Sequence, residues 1–149
     1  MAINPHLKIA IVVAPLLAIA GWGLAEMYWA STHPEAAARL APRRACNLRH
    51  DLCRLQAGDV QLFIRGEFDT AGRLRALRIE STVPLDTVLA SVAPLKAERD
   101  KPVRFVGENG RVWRARLADA PPPGEEAHRL RLVATAGKKT YIGETRVRY

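Results

Sequence analysis

The chain has 149 residues, a formal net charge of +8 and 48% hydrophobic residues. That leaves room for one modest domain with extensions and excludes a second core of ordinary size. The surplus of basic residues points to anionic surfaces as partners.

Residues Ile9 to Ala30, IAIVVAPLLAIAGWGLAEMYWA, form an apolar run interrupted only by Glu26. As a helix the run is long enough to cross a hydrocarbon core of about 30 Å, and it reads as a transmembrane anchor occupying residues 1–30 with its short tail. Trp22, Tyr28 and Trp29 gather near its far end, where amphipathic rings sit well at headgroup level. Glu26 is close enough to that end to reach interfacial water, and neighbours in lipid can repair a kink at Pro15. His6 and His33 flank the run and read as interfacial. A cleaved leader is the rival reading, with Lys8 before the apolar core and Ala18-Ile19-Ala20 as the small-residue site. It accounts for less, because apolar and aromatic residues continue past that site.

Charge alone would point the following domain inward, since Arg39, Arg43 and Arg44 outnumber Lys8. The short tail and the two cysteines beyond the run argue the other way, for an oxidising compartment. The expected location is therefore a bacterial inner membrane, with one span and the carboxy-terminal domain in the periplasm.

Residues 31–45, STHPEAAARLAPRRA, hold small residues and prolines and little that could build a core. They read as a tether, partly helical around PEAAARL and extended at Ala41-Pro42.

From 46 to 149 the pattern changes to period two. In DVQLFIRG, Val60, Leu62 and Ile64 alternate with Gln61, Phe63 and Arg65; DTAG at 69–72 is a turn; RLRALRIESTV then changes phase between Ala76 and Leu77, as a β-bulge would. VPLDTVLASVAPL is ambiguous, because Val88, Leu89, Val92 and Leu95 also fit a short helix. In VRFVGENGRVWRARL a two-residue Asn109-Gly110 turn would set Arg104 among apolar partners. A three-residue loop Glu108-Asn109-Gly110, with Gly110 left-handed, instead pairs Phe105 with Trp113 and Val103 with Ala115 and leaves Arg104, Arg114 and Arg116 on the other face. APPPGEE lacks the donors for a sheet and is a loop. HRLRLVATAG and KTYIGETRVRY form a last hairpin turning at Gly137-Lys138. About seven short strands in roughly 100 residues imply an all-β domain, an immunoglobulin-like sandwich first and a small half-open barrel second.

The stretch CNLRHDLC carries the only two cysteines, Cys46 and Cys53, with His50 between them. A disulfide needs Cα atoms within about 7 Å, so the chain must reverse at Arg49-His50, by a tight hairpin or by a one-turn helical loop. Leu48 and Leu52 could then both stay near the core. Zinc wants four ligands in spaced pairs, which two thiols and one histidine do not supply. Copper(I) needs fewer, so Cys46, Cys53 and His50 form a possible copper set; thiol exchange lacks the C-x-x-C geometry. A structural disulfide is the leading reading.

His50 and His128 read as exposed loop histidines. No nucleophile elbow, phosphate-cradling glycine loop or carboxylate pair beside a histidine is visible, so the expectation is no enzyme, no cofactor and no small-molecule substrate. The remaining signal is arginine. Arg65, Arg73, Arg75, Arg104, Arg114, Arg116, Arg129, Arg131, Arg146 and Arg148 alternate outward along strands, and from Cys46 onward 19 Lys plus Arg stand against 13 Asp plus Glu. A basic face, with Arg65, Arg104, Arg114, Arg116, Arg129 and Arg131 as its binding residues, would dock on anionic headgroups or an acidic membrane partner. Nucleic acid fits poorly, because aromatic residues are not interleaved with the basic ones.

One apolar span, a tether, CNLRHDLC in the form C-x-L-x4-C, an alternating strand and VPLDTVLASV together resemble a group of small proteobacterial single-span membrane proteins. These are similar in layout to the accessory proteins of cation-pump and cytochrome oxidase assembly, whose outer domain is an immunoglobulin-like sandwich. The resemblance implies a non-enzymatic accessory or assembly subunit of a membrane complex, with a respiratory complex as one candidate, and Cys46 and Cys53 as a pair. The alternative is a periplasmic copper or thiol-exchange chaperone using those cysteines. Against it, the methionine-rich M-x-M-G stretch of such proteins is missing: Met1 and Met27 are the only methionines.

Overall fold

The computed structural model describes residues 37–149, which form a unit of their own. The expected span, with Trp22, Tyr28 and Trp29, and the first part of the tether lie outside the described residues. Within them the chain is all-β, with no helix and hence none long and apolar enough to cross a membrane.

Eleven strands follow in chain order: β1 (Ala38–Pro42), β2 (Cys46–Asn47), β3 (Cys53–Ala57), β4 (Val60–Phe68), β5 (Leu74–Ser81), β6 (Thr87–Pro94), β7 (Val103–Arg104), β8 (Val106–Gly107), β9 (Val112–Arg116), β10 (His128–Ala136) and β11 (Lys139–Arg148). Hydrogen bonding runs unbroken in the order β7-β6-β10-β11-β1-β3-β4-β5-β9-β8, with β2 added beside the end of β11. The two ends of this strip, β7 and β8, are separated in the chain only by Phe105, whose N–H donates to the Val88 carbonyl at 2.9 Å. The sheet is therefore nearly barrel-shaped. About seven strands were expected; the surplus comes largely from β1 and from the two-residue ladders β2, β7 and β8, too short to carry a period.

β1 holds the two halves together. Ala38 to Leu40 pair in parallel with Tyr141 to Gly143, and Ala41 and Pro42 then pair antiparallel with Gln56 and Leu55. The tether expected at 31–45 thus ends early: the folded unit begins at Ala37 rather than Cys46, and PEAAARL is not helical where it is described. The cause is steric. A Cβ on Gly143 would stand 3.1 Å from Leu40 Cβ and 3.1 Å from Leu55 Cδ1, so the bare glycine leaves the space into which Leu40 is buried.

Alternate residues face one core. Leu55, Leu62 and Ile64 from one half meet Val88, Leu130 and Leu132 from the other, all essentially inaccessible to solvent. The phase change in β5 is real, with Ala76 and Leu77 both buried. The β4–β5 register slips between Glu67 and Phe68, so that Arg75 has no partner on β4, one position before the expected bulge. The ambiguous segment is strand β6, fixed by eight residues of pairing with β10 that override its helical spacing.

The turn at 69–72 forms with Gly72 at φ +76°. There Asp69 accepts from the backbone N–H of Arg73, and mainly for that reason its carboxyl is held down at about 2. The last hairpin turns at Gly137-Lys138, with Ala136 opposite Lys139 and Gly137 at φ +59°. The APPPGEE segment forms no strand.

The third hairpin corrects the sequence reading. Gly110 is left-handed at φ +72° and the loop has three residues, but they are 109–111, which places Gly107 opposite Trp113 and Val106 opposite Arg114. Asn109 Oδ1 accepts from the N–H groups of Arg111 and Val112 at 3.1 and 2.9 Å, drawing the turn forward by one residue. Gly107 then leaves room for the Trp113 ring, which lies 2.9 Å from where its Cβ would be. The faces survive the shift: Phe105, Trp113 and Ala115 are buried, and Arg104, Arg114 and Arg116 are exposed.

Candidate functional site

The two cysteines come together through one helical turn. The Asn47 carbonyl accepts from Asp51 N–H at 2.9 Å, and Asn47 Oδ1 accepts from the N–H groups of Arg49 and His50 at 3.0 and 3.3 Å. The turn brings the Cα atoms of Cys46 and Cys53 to 4.8 Å with their sulfurs bonded. Both cysteines are buried, as is Leu48, whereas Leu52 turns out to solvent rather than toward the core. His50 is exposed in the turn, and no cluster of histidine, cysteine and carboxylate residues among the described residues could hold a metal.

His128 is not a loop residue. It lies in β10, buried, with both ring nitrogens lacking a hydrogen-bond partner, and burial pushes its pKa below the ordinary histidine value. The alternation of β10 sets this orientation, because His128, Leu130 and Leu132 share the inward face.

The six arginines singled out from the sequence are divided between the two halves of the strip. Arg129 is drawn inward: its side chain is only 14% exposed, 2.7 Å from Asp100 Oδ1, and it donates to the carbonyls of Leu95 and Ala97. It pins the 95–100 loop and is not a free surface charge. That bond also holds the Asp100 carboxyl below its usual range. Arg131 bridges Asp100 and Glu144 at 2.9 and 2.8 Å, and Arg114 pairs with Glu67. Arg65, Arg104 and Arg116 are exposed and have no ion pair among the described residues.

In one half the arginines form a row. Arg65 on β4 stands opposite Arg78 on β5, and Arg78 opposite Arg114 on β9, with Val106 next in line on β8. Like charges directly opposite each other repel. Glu67 and Glu80 relieve Arg114 and Arg78, while Arg65 is left unrelieved. Val106 is 74% exposed, the most open large apolar side chain of the described residues.

A separate concavity has a topological origin. β1 leaves β11 after Leu40 opposite Gly143, and the chain rejoins β11 at Cys46 opposite Val147. Six steps of chain thus span four steps of β11, and the surplus is taken up as an arch in which Ala41 and Pro42 leave β11 to pair with β3 and Arg43 N–H donates to the Arg54 carbonyl before the chain returns. Beneath the arch is a cleft of about 1010 Å³ whose lining includes Arg43, Arg44, Arg129, Arg146 and Arg148. Arg43, Arg44, Arg146 and Arg148 have no ion pair among the described residues; of the two lining carboxylates, Glu144 is held by Arg131, which leaves Asp51.

Comparison with family models, with curated proteins and with solved structures finds no match.

The sequence showed the Arg43-Arg44 pair and the alternation of Arg146 with Arg148, but not their convergence. That depends on parallel pairing between the first and last strands, for which local periodicity holds no signal.

Proposed function

We propose that this chain is a non-enzymatic accessory or assembly subunit of a membrane complex, with a respiratory complex the class implied by the resemblance of its layout. In this reading the apolar run from Ile9 to Ala30 is a transmembrane anchor in a bacterial inner membrane and the domain stands in the periplasm. The two halves of the strip, joined at β1, serve as the facing sheets of an immunoglobulin-like sandwich. A disulfide suits that oxidising compartment.

The observation that carries the reading is the in-register row Arg65, Arg78 and Arg114, beside unpaired Arg116 and ending at exposed Val106. A cationic sheet face that keeps like charges side by side and sets an apolar residue at its edge favours an acidic protein partner with an apolar contact. The buried, bonded sulfurs lend no support to the copper or thiol-exchange alternative.

The test is co-purification of the full chain from its native membrane in mild detergent, beside the R65E/R116E variant. The wild-type chain retains a membrane complex at low salt and the variant loses it. Equal retention by both, or a wild-type chain that emerges alone, overturns the proposal.

A further inference from the structure

We infer that the arched cleft beside the disulfide is a recognition site for the phosphate headgroup of an anionic phospholipid. The inference rests on the membrane-anchored reading, and it concerns a surface separate from the β4–β5–β9 face proposed for a protein partner.

Besides Arg129, which Asp100 holds, four further arginines line the concavity from two directions. Arg43 and Arg44 come from the arch, and Arg146 and Arg148 from the outward positions of β11. None of these four is neutralised by an ion pair among the described residues, whereas Arg131, also on this half of the strip, is doubly paired with Asp100 and Glu144. Concentrating unpaired positive charge in a concavity is costly unless an anion fills it, and the fork of a guanidinium matches two phosphate oxygens at once.

The arch decides the shape of the ligand. Its two ends are fixed, by the pairing of β1 with β11 at Leu40 and by the pairing of β2 with β11 at Cys46, which the disulfide also anchors. An extended peptide adding to the edge of β11 would meet β1 on one side and β2 on the other. A compact oxyanion meets neither.

Two observations favour a lipid over a free phosphate. The cleft wall includes Pro42, Ala45, Leu95 and Ala127, an apolar lining suited to a glycerol backbone and the first methylenes. The arch also begins only eleven residues after Ala30, the end of an apolar run of bilayer length. At no more than about 3.6 Å per residue, that stretch keeps the arch within reach of headgroups. Basic residues this close to a membrane surface each strengthen attachment to anionic lipid.

The experiment is calorimetric titration of the full chain in neutral detergent with dihexanoyl phosphatidylglycerol, dihexanoyl phosphatidylcholine and inorganic phosphate. The phosphatidylglycerol binds, with an affinity that falls as salt rises; the phosphatidylcholine and inorganic phosphate bind at least roughly tenfold more weakly. The R146Q/R148Q variant, at exposed positions outside every ion pair among the described residues, weakens phosphatidylglycerol binding by roughly tenfold or more while its melting temperature is unchanged. The K138Q/K139Q variant removes equal charge at the hairpin tip and keeps the wild-type affinity. Inorganic phosphate binding as tightly as the lipid overturns the lipid assignment, and equal losses in both variants overturn the site itself. A chain that still captures its complex yet binds no phosphatidylglycerol removes this inference alone; lipid binding without a captured complex removes only the accessory-subunit proposal.

Discussion

The ring of Tyr149 lies on the ring of His128, with centroids 4.8 Å apart and planes 30° from parallel. The last residue is thereby fixed in the core, and its hydroxyl donates to the Pro121 carbonyl at 2.9 Å, so a polar tip satisfied by the proline loop closes an otherwise apolar contact. Burial raises the phenol to about 12.

This pair sets a pH dependence. An unfolded histidine titrates near 6.5, and burial lowers the folded value of His128. The unfolded chain therefore takes the proton more readily, so the contribution to stability is complete above about 6.5 and is lost as pH falls through the window below it. Melting temperature declines between about pH 7 and pH 5 in the wild type, above the range in which Asp69 and Asp100 titrate. In His128→Phe that decline flattens. A wild-type profile level across the window would show that the imidazole is not titrating as a buried group.

Removing the disulfide weakens the fold. Cys46 and Cys53 are seven positions apart, and closing so small a ring is worth about 2 to 3 kcal/mol by loop entropy. Cys53→Ser and reduction of the wild type both lower the denaturation midpoint by comparable amounts. An unchanged midpoint on reduction would remove the stapling role.

The Arg129–Asp100 contact predicts a cost that depends on which partner is lost. Asp100→Ala leaves a largely buried guanidinium with only carbonyl partners and costs about 2 kcal/mol. The double variant R129M/D100A recovers part of that loss, because no uncompensated charge remains. Strictly additive losses in a double-mutant cycle would mean that the two side chains do not interact.

Gly110→Ala tests the corrected turn. The position needs φ +72°, although a methyl group there would find only ordinary contacts with Leu85 and Pro84. The penalty is therefore conformational, about 1 kcal/mol. Trp113 reports on it directly, because its indole N–H donates to the Gly110 carbonyl at 2.9 Å. A shift in tryptophan emission should accompany the lost stability; a neutral substitution would place the left-handed residue elsewhere in the loop.

What was legible in the sequence was local. Val60, Leu62 and Ile64 announced β4 through a period of two, and Gly72, Gly110 and Gly137 marked the turns where positive φ was needed. The doubled burial of Ala76 and Leu77 was visible as a break in phase. What escaped notice depended on neighbours far away in the chain. β1 reads as a tether because Leu40 is its one buried residue, and the cover for Leu40 is supplied from far away in the chain, beside Gly143 and Leu55. Arg129 alternates like its neighbours, yet Asp100 pulls it under a loop. The cleft required knowing that the chain skirts β11 along six residues where four would reach.

β1 also imposes an order in time. It is the first of the described strands to be synthesised, while its parallel partner β11 is the last of them. Leu40 therefore waits for its cover until β11 has been made, and the seam between the halves closes only then. A chain lacking β11 carries two unzipped sheet edges, on β1 and β10, which suit it to capture by quality-control machinery. For this domain, the making of β11 and the closure of the seam are a single event.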